Sequence, residues 1–242
     1  MKAIILAAGQ GSRMGKITET IPKSLLPIGN TNVVCRLINQ LLNLGMDDIS
    51  IVVGYKENLL KREINKIPGL NIKFISNKRF KEDINILSLS LALEGVNNGK
   101  FIIFEADCIY DDNAISLIVD SCKDDKSYWY TMGSFESTQR GGILLSNEDN
   151  SVKDIKIVKK FKEKYSLYNK LIGVLKVGNL ESPEYIELLR KYKNKDIKQY
   201  YLKPWIDHLD ELKCFEVSLK AFRSGAFNNP SEYNKALEIF RN

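Results

Sequence analysis

Histidine and cysteine, which often supply nucleophiles, general bases and metal ligands, are scarce in this sequence. Because His208 is the single histidine, a Ser–His or Cys–His pair would have to use it, and no G-x-S-x-G motif is present. The four cysteines form no C-x-x-C pair, which argues against a zinc site or a disulfide framework and fits a reducing cytoplasm. They are Cys35, Cys108, Cys122 and Cys214. Any chemistry must therefore rest on carboxylates, lysines, arginines and backbone groups.

Long hydrophobic runs are also lacking. The apolar run at 3–8 is shorter than the core of a signal peptide, and no segment approaches the roughly 20 apolar residues that span a bilayer. The net charge is a mild +6, from 36 basic and 30 acidic residues, which binding of a polyanionic nucleotide explains as well as nucleic acid would. We expect a soluble, cytoplasmic protein with no membrane or nucleic-acid partner.

Apolar runs alternate with helical patterns through the first half of the chain. Buried strands are predicted at 2–8, 49–54, 70–75 and 101–106, and helices at 32–46, 56–66, 84–95 and 112–122. This alternation, with short loops, is typical of a parallel sheet covered by helices on both faces. We therefore expect an α/β fold with a doubly wound, mostly parallel sheet.

The second half of the chain has shorter strand-like runs. Strands are predicted at 127–135, 141–146, 152–158, 171–177 and 213–218, and helices at 183–193, 203–212 and from about Pro230. We interpret 126–242 as a smaller α+β part added to 1–125. No Pro/Ser/Gly-rich linker separates the two parts, so a single domain over 1–242 is predicted.

In parallel sheets of this kind ligands bind beyond the carboxyl ends of the strands. Tyr55 follows the second predicted strand and Asp107 the fourth, so both should lie at that edge, together with the glycine-rich loop LAAGQGSRMG at 6–15. This loop fails the dinucleotide fingerprint G-x-G-x-x-G because Met14 stands at the third glycine. It also misses the spacing of G-x-x-x-x-G-K-[ST].

The same loop still has the properties of a phosphate-binding site. Glycines permit close backbone approach, and consecutive amide N–H groups can bind phosphate oxygens. Arg13 adds a forked, permanently charged donor, and Lys23 follows a proline that fixes the turn. Together these residues predict that the loop binds phosphate.

LAAGQGSRM (6–14) followed by PKSLLPIGN (22–30) resembles the signature of the sugar-phosphate nucleotidyltransferase superfamily, LAAGxGxR…PK. ISIVVGY (49–55), INILSLSLAL (84–93) and FEAD (104–107) follow in the family order. The small size and the NILSL pattern are most similar to the small bacterial choline-phosphate cytidylyltransferases. The resemblance is strong as far as residue 110 and weaker beyond it.

The resemblance implies a Rossmann-like nucleotidyltransferase fold that transfers CMP from CTP to a small phosphorylated acceptor and releases pyrophosphate. Such enzymes activate precursors for the decoration of surface polysaccharides or lipids. By this resemblance, 1–125 is the nucleotide-binding half and 126–242 the acceptor-binding half. Whether the chain forms a homodimer stays open.

The resemblance also implies catalytic roles for individual residues. Arg13 would hold the β- and γ-phosphates and Lys23 the α-phosphate, while Asp107 would bind Mg²⁺. The second metal ligand of the family is usually a carboxylate near the end of the chain, but Asn228 stands at the matching position. An amide oxygen brings no charge, so either the metal is held more weakly or Asp207 or the acceptor supplies the missing charge.

Nucleotide contacts are implied along the loop and at the later strand ends. They are Leu6, Ala8, Gly9, Gln10, Gly11, Ser12, Arg13, Lys23, Asn77, Asn85, Ser88, Glu105 and Ala106. Backbone groups of Ala8 and Gly9 would select the base together with Asn77, Asn85 and Ser88, because an amide side chain offers both a donor and an acceptor. A helix-start asparagine without a ligand is the alternative.

Acceptor contacts are implied in the second half. They are Lys160, Lys164, Gly173, Tyr201, Trp205 and Asp207. An aromatic wall of Tyr201 and Trp205 would suit a quaternary ammonium group. The alternatives are that the lysine run is a solvated face and that the aromatic residues belong to the core.

Two other functions remain open at this stage. One is transfer of UMP, dTMP or GMP to a sugar 1-phosphate, against which stand the short second half and Glu163-Lys164-Tyr165 in place of an E-K-P motif. The other is a nucleotide-binding regulatory subunit without catalysis, suggested by Asn228.

Overall fold

A computed structural model describes residues 1–240. Its strands are β1 (Lys2–Ala7), β2 (Pro27–Ile28), β3 (Thr31–Asn32), β4 (Ile49–Val53), β5 (Ile72–Ser76), β6 (Phe101–Glu105), β7 (Cys108–Tyr110), β8 (Tyr128–Ser134), β9 (Gly141–Ser146), β10 (Val152–Val158), β11 (Asn169–Val177), β12 (Phe215–Ser218) and β13 (Ser224–Ala226). Its α-helices are α1 (Ile17–Thr20), α2 (Val33–Asn43), α3 (Glu57–Ile64), α4 (Ile86–Ala92), α5 (Asp112–Asp120), α6 (Ser182–Lys195), α7 (Lys203–Asp207) and α8 (Pro230–Ile239).

The main sheet is parallel in the first half of the chain and largely antiparallel in the second. β5, β4, β1 and β6 lie side by side in that order and pair in parallel. β11 then pairs antiparallel with β6, β8 and β9. β10 pairs antiparallel with β9, while β12 runs parallel to β8. The predicted α/β fold with a mostly parallel sheet is confirmed, and β11 makes both halves part of one sheet.

Helices cover both faces of the parallel strands. Ala3 and Ile5 of β1 are buried in one core with residues of α2 and α5, whereas Ile4 is buried in a second core with residues of α4 and α6. This follows from the strand geometry, since successive side chains point to opposite faces. The continuous apolar run at the start of the sequence is therefore explained by burial on both sides, and the doubly wound arrangement is confirmed.

Side chains cap the helices that pack on the sheet. Asn32 Oδ1 accepts a hydrogen bond from the N–H of Cys35 at 2.9 Å, at the start of α2. Asp111 Oδ1 accepts one from the N–H of Ala114 at 2.8 Å, at the start of α5. Such bonds satisfy amide groups that have no partner within the helix. They fix where each helix begins relative to the preceding strand.

Two local features differ from the sequence prediction. The helix predicted at 203–212 ends at Asp207, because His208 leaves the helical conformation (φ −130°, ψ 35°) and the chain turns to bury Leu212. A ribbon of β7 and β13, three residues each, was not predicted because strands this short show no clear apolar period. Across residues 1–240, no helix is long and apolar enough to cross a bilayer.

Candidate active site

The loop after β1 brings backbone groups to the carboxyl edge of the sheet. Gly11 has φ +69°, and a Cβ at this position would lie 2.9 Å from the Cβ of Lys23. A side chain at residue 11 would therefore be strained and would collide with the lysine. Gly9 and Gln10 are exposed. The loop thus keeps its backbone accessible while it packs against Lys23.

The residues that follow β4 contact this loop. The sequence predicts that they lie at the same edge of the sheet. The N–H of Tyr55 donates to the carbonyl of Ala8 at 2.9 Å, and the Tyr55 hydroxyl donates to the carbonyl of Thr18 at 2.9 Å. On the other side of β1, the N–H of Ala106 donates to the carbonyl of Leu6 at 3.1 Å. The loop is therefore held from both neighbouring strands.

Lys23 and Asp107, predicted as catalytic residues, form an ion pair. Lys23 Nζ lies 2.5 Å from Asp107 Oδ2, and the two side chains are 11% and 25% exposed. The lysine begins a short 3-10 turn after Pro22 and lies 5.1 Å from the centre of the Phe227 ring. Residues 84 positions apart in sequence thus meet at the sheet edge.

The β7–β13 ribbon brings the end of the chain to the same place. The N–H of Phe227 donates to the carbonyl of Asp107 at 3.3 Å. Asn228 follows directly, and its Oδ1 accepts a hydrogen bond from the Arg13 guanidinium at 2.9 Å. The N–H of Asn228 donates to Glu232 in the first turn of α8 at 2.6 Å. Arg13, Lys23, Asp107 and Asn228 therefore form one cluster, which we call the phosphate-end cluster.

The donor set of this cluster fits a magnesium ion that arrives with a nucleotide. Mg²⁺ prefers oxygen ligands and is usually bound by one or two carboxylates plus substrate phosphates. Asp107 offers a carboxylate and Asn228 an amide oxygen. Residues 1–240 contain no group of three or more His, Cys, Asp or Glu side chains that could hold a metal by themselves. The protein oxygens suit a site that nucleotide phosphates complete.

Glu105 lies at the end of β6, two residues before Asp107, with part of its side chain accessible. Burial and the charge of Asp107 raise the pKa of Glu105 to about 7. Gly173 has φ +57°, and a Cβ there would lie 2.9 Å from Glu105 Cβ and 3.0 Å from Oε2. Only glycine leaves room for the carboxyl group at this point, so Gly173 lies directly beside Glu105.

Lys170 is a cation of the site that the sequence did not reveal. Its ammonium donates to the carbonyls of Gly142 at 3.3 Å and Leu171 at 2.8 Å. Burial lowers the pKa of Lys170, and the negative charges of Glu105 and Asp107 oppose this effect. Because β11 runs antiparallel to β6, the start of β11 lies at the same edge of the sheet as the end of β6, and Lys170 lies close to the two carboxylates.

Asn77 and Ser88, predicted to contact the base, use their side chains within the protein. Asn77 Nδ2 donates to Asp83 and to Ser88 Oγ, both at 2.9 Å, and Asn77 Oδ1 accepts from the N–H of Arg79. Asp83 in turn accepts from the N–H and hydroxyl of Ser88 at 2.8 and 2.7 Å. Both residues are buried. Their side chains thus position the start of α4 and have no free polar group for a base.

Asn85 connects the two halves of the site. Its Oδ1 accepts a hydrogen bond from the N–H of Tyr201 at 2.9 Å, and its Nδ2 lies 3.4 Å from Glu105 Oε1. It stands directly before α4 but makes no cap bond of its own. The alternative of a simple helix-start asparagine therefore does not describe it, because its amide bridges the end of β6 and the segment before α7.

The two lysines predicted to bind the acceptor lie on the surface loop after β10. Lys160 and Lys164 are exposed, and Lys164 Nζ lies 5.2 Å from the centre of the Tyr165 ring. Among the described residues, neither lysine forms an ion pair with Glu105 or Asp107. The structure thus matches the alternative of a solvated face.

Trp205 and Asp207 also lie apart from the phosphate-end cluster. Trp205 is fully buried, with its ring centre 6.1 Å from that of Trp129 and 5.4 Å from that of Tyr185. The prediction that it lines the acceptor site is corrected, because a side chain enclosed by other aromatic residues offers no surface to a ligand. The carboxylate of Asp207 accepts the Tyr192 hydroxyl at 2.7 Å on α6, away from β6.

A surface cavity of about 540 Å³ lies near the glycine-rich loop but is distinct from this cluster. It is lined by the loop after β4, the start of α3 and the segment after β5. Arg13, Lys23 and Asp107 do not line it. The phosphate-end cluster therefore lies at the open sheet edge, outside this cavity.

The chain belongs to the family of MobA-like NTP transferase domains, whose model matches residues 3–140. The matched region contains the glycine-rich loop, Lys23, Glu105 and Asp107. It ends before Lys170 and Asn228. The family therefore accounts for the parallel half of the sheet and the residues at its carboxyl edge.

Three known proteins illustrate the relationship. A 2-aminoethylphosphonate cytidylyltransferase of Lancefieldella rimae is 37% identical over 114 residues, 47% of this chain and 45% of the relative. A UTP–glucose-1-phosphate uridylyltransferase of Haloferax volcanii is 23% identical over 158 residues, 64% of each chain. The structure of CTP:phosphocholine cytidylyltransferase from Streptococcus pneumoniae superposes with a TM-score of 0.83 at 24% identity over 98% of both chains, a likeness of fold. The chain spans about half the length of the first curated relatives it matches.

Proposed function

We propose that this nucleotidyltransferase-family protein transfers CMP from CTP to a small acceptor that ends in a phosphate or phosphonate, and releases pyrophosphate. The observation that carries the proposal is the phosphate-end cluster. Two cations of the glycine-rich segment, Arg13 and Lys23, contact the two oxygen ligands Asn228 and Asp107 at 2.9 and 2.5 Å. Triphosphate groups and their metal require this combination of charges in one place.

The reaction is an attack by an acceptor oxygen on the α-phosphorus of CTP, in which the bond to the β-phosphate oxygen breaks and pyrophosphate leaves. Both reactants are anions, and a phosphate or phosphonate already carries its negative charge at neutral pH. The protein must therefore supply cations at fixed positions more than a general base. Lys23 would neutralise the α-phosphate, and Arg13 would bind the departing phosphates with its forked donors.

Asp107 and Asn228 would hold a magnesium ion, which would neutralise charge on the phosphate oxygens. In the ligand-free protein these oxygens contact Lys23 and Arg13 instead. Binding of the triphosphate would draw both cations toward the phosphates and release Asp107 and Asn228. The exchange keeps the charges of Lys23 and Asp107 partnered before and after the nucleotide binds.

The acceptor would bind on the other side of Glu105. Lys170 would neutralise its phosphate or phosphonate group, since this ammonium faces Glu105 and Asp107 and is bound only to backbone carbonyls. Gly173 keeps that side open. Lys170 thus takes the role that the sequence suggested for Lys160 or Lys164.

Two findings support CTP as the nucleotide. The Lancefieldella rimae relative carries the highest identity of the three described and is a cytidylyltransferase. Asn85, at the rim of the site, has an amide able to contact a pyrimidine edge if its 3.4 Å contact with Glu105 is exchanged. The Haloferax volcanii relative favours a second candidate, UMP transfer to a sugar 1-phosphate.

Pyrophosphate release decides between these candidates. The protein would be incubated with Mg²⁺, one of CTP, UTP, dTTP or GTP, and one of 2-aminoethylphosphonate, phosphocholine or glucose 1-phosphate. We expect release with CTP and an acceptor from the first two. Release only with UTP and glucose 1-phosphate would replace the proposal by the sugar-nucleotide reaction, and no release with any pair would support a nucleotide-binding protein without catalysis.

A further inference from the structure

Two loops of the second half lie side by side and carry an excess of positive charge. Residues 136–140 lie between β8 and β9, and residues 159–168 connect β10 to β11. Val158, the last residue of β10, pairs with Gly141, the first residue of β9, so the two loops meet beside this pair. Their exposed cations form one surface, which we call the basic rim. Its members are Arg140, Lys159, Lys160, Lys162 and Lys164.

The cations of the basic rim lack carboxylate partners. Within residues 1–240, none of the five forms an ion pair or donates a side-chain hydrogen bond. The acids of the same two loops are Glu136 and Glu163, so the cations exceed them by three. Like charges gathered on one surface repel one another, and an anionic partner removes that repulsion. The basic rim is therefore complementary in charge to an anionic surface.

Aromatic packing holds the basic rim in place. The ring centres of Phe161 and Phe135 are 5.6 Å apart, and those of Tyr165 and Tyr168 are also 5.6 Å apart. The N–H of Phe135 donates to the carbonyl of Tyr168 at 2.8 Å, which ties the two loops together. A partner therefore meets the lysines in a preformed arrangement and does not have to order a flexible loop.

Leu167 adds an apolar side chain to this surface. It is 80% exposed and lies three residues after Lys164 and two before the start of β11. At an anionic bilayer, lysines are attracted to the lipid headgroups while an apolar side chain enters the boundary between headgroups and acyl chains. A nucleic acid or another soluble polyanion would contact the lysines and leave the leucine in water. The leucine therefore favours a lipid surface as the partner.

We infer that the basic rim and Leu167 dock the protein on an anionic lipid surface. The attachment is peripheral and reversible, because a few lysines and one apolar side chain bind a bilayer only weakly. It needs no long apolar run, so the scarcity of such runs, from which the sequence predicted no membrane partner, does not oppose it. Lys170 follows Leu167 by three residues and lies close to Glu105 and Asp107. Docking would therefore place the acceptor side of the sheet edge beside the lipid headgroups.

The test is cosedimentation of the protein with lipid vesicles, without nucleotide or acceptor. Vesicles with equal amounts of phosphatidylglycerol and phosphatidylcholine are compared with vesicles of phosphatidylcholine alone, and heparin is the soluble polyanion. Because no substrate is present, the outcome leaves the proposed CMP transfer untouched. Thermal melting verifies that every variant is folded.

Each variant of the surface has a matched control. Lys159→Gln with Lys162→Gln is compared with Lys191→Gln and Lys195→Gln, which remove two exposed lysines of α6. Leu167→Ser is compared with Leu180→Ser. Leu180 is 82% exposed and follows the opposite end of β11, so it matches Leu167 in exposure but not in position.

We expect the unaltered protein to bind the anionic vesicles and to bind phosphatidylcholine much more weakly. Loss of Lys159 and Lys162 should lower the affinity by about 10- to 30-fold, since each lysine near an anionic surface contributes a factor of roughly five. Leu167→Ser should lower it by about threefold or more on vesicles but not on heparin. Both controls should stay within about twofold of the unaltered protein, and high salt should weaken all vesicle binding.

Three results would overturn this docking surface. The first is no binding to anionic vesicles, as expected if the partner is an acidic protein, or equal binding to both kinds of vesicle. The second is an equal loss in the double variants of the basic rim and of α6. The third is vesicle binding that Leu167→Ser leaves unchanged, which would indicate a site for polyanions in general.

Discussion

The two halves of the molecule bring charged residues to the site by different routes. In the first half, Arg13 and Lys23 come from the segment after β1, and Asp107 follows β6. In the second half, Lys170 lies at the start of β11, not after its end. Lys160 and Lys164, which belong to the run of lysines after β10, lie on the surface.

The difference follows from strand direction. Parallel strands have their carboxyl ends at one edge, so a residue that follows a strand can be placed there from sequence alone. β11 runs antiparallel to β6, so its amino-terminal end reaches the same edge. Residues of the first half therefore reach the site at the carboxyl ends of strands, whereas Lys170 reaches it at the amino end of β11. Each placement can be tested by substitution.

The largest effect is expected for Asp107→Asn. Loss of the one carboxylate among the proposed metal ligands should lower kcat by about 1000-fold or more, since it removes the protein's negative charge at the metal. The matched control is Asp207→Asn, an aspartate on α7 that should retain near-normal activity. Initial rates of pyrophosphate release at saturating Mg²⁺ and CTP provide the measurement. Similar rates for both variants would place the metal elsewhere.

Lys23→Ala should lower kcat by about 100-fold or more, because the proposed role of the lysine is to neutralise charge that develops at the α-phosphate. Lys16→Ala, an exposed lysine of the same segment, is the control. Melting temperatures should show that both variants fold. An active Lys23→Ala protein would refute the phosphate role given to the first half.

Lys170→Met should raise the acceptor KM by about 10- to 100-fold with a smaller change in the KM for CTP, as expected for loss of a charged hydrogen bond. Lys164→Met should change neither constant by more than about twofold. Steady-state kinetics with varied acceptor and fixed CTP distinguish the two. The reverse result would mean that the basic surface loop reaches the acceptor. Strand direction would then not predict which lysine of the second half lies at the site.

The smallest effect is expected for Asn228→Asp. A carboxylate in place of the amide should lower the Mg²⁺ concentration for half-maximal rate by a few-fold, because a charged oxygen binds a hard cation more tightly. Binding of Mn²⁺ to the free protein, measured by its paramagnetic resonance signal, should strengthen in parallel. Weaker binding of Mn²⁺ by the variant would show that Asn228 does not contact the metal.

The sequence predicted the position of a segment correctly where the residues of that segment alone determine it. Continuous apolar runs predicted β1, β4 and β6. The glycine-rich loop and the position of Asp107 after a predicted strand indicated that both lie at one edge of the sheet. The β7–β13 ribbon, which carries Asn228 to Asp107, could not be predicted from periodicity because each strand has only three residues. The role of Trp205 was misjudged because an aromatic residue in the core and one in a binding wall have the same sequence pattern.

Burial of polar side chains was equally hard to foresee. Asn77 and Ser88 are suitable for reading a base, but a bonded network with Asp83 occupies them. That network depends on where the start of α4 lies relative to β5, which is a tertiary property. The position of Lys170 beside Glu105 likewise depends on the antiparallel pairing of β11 with β6.

The most direct test of the central claim is the product formed at the phosphate-end cluster. The protein would be incubated with CTP, Mg²⁺ and either 2-aminoethylphosphonate or phosphocholine, and the phosphorus resonance spectrum recorded over time. The account predicts a new phosphorus–oxygen–phosphorus linkage between CMP and one acceptor, together with pyrophosphate, for the unaltered protein and not for Asp107→Asn. Unchanged CTP in every mixture, or the same product from Asp107→Asn at an undiminished rate, would contradict it.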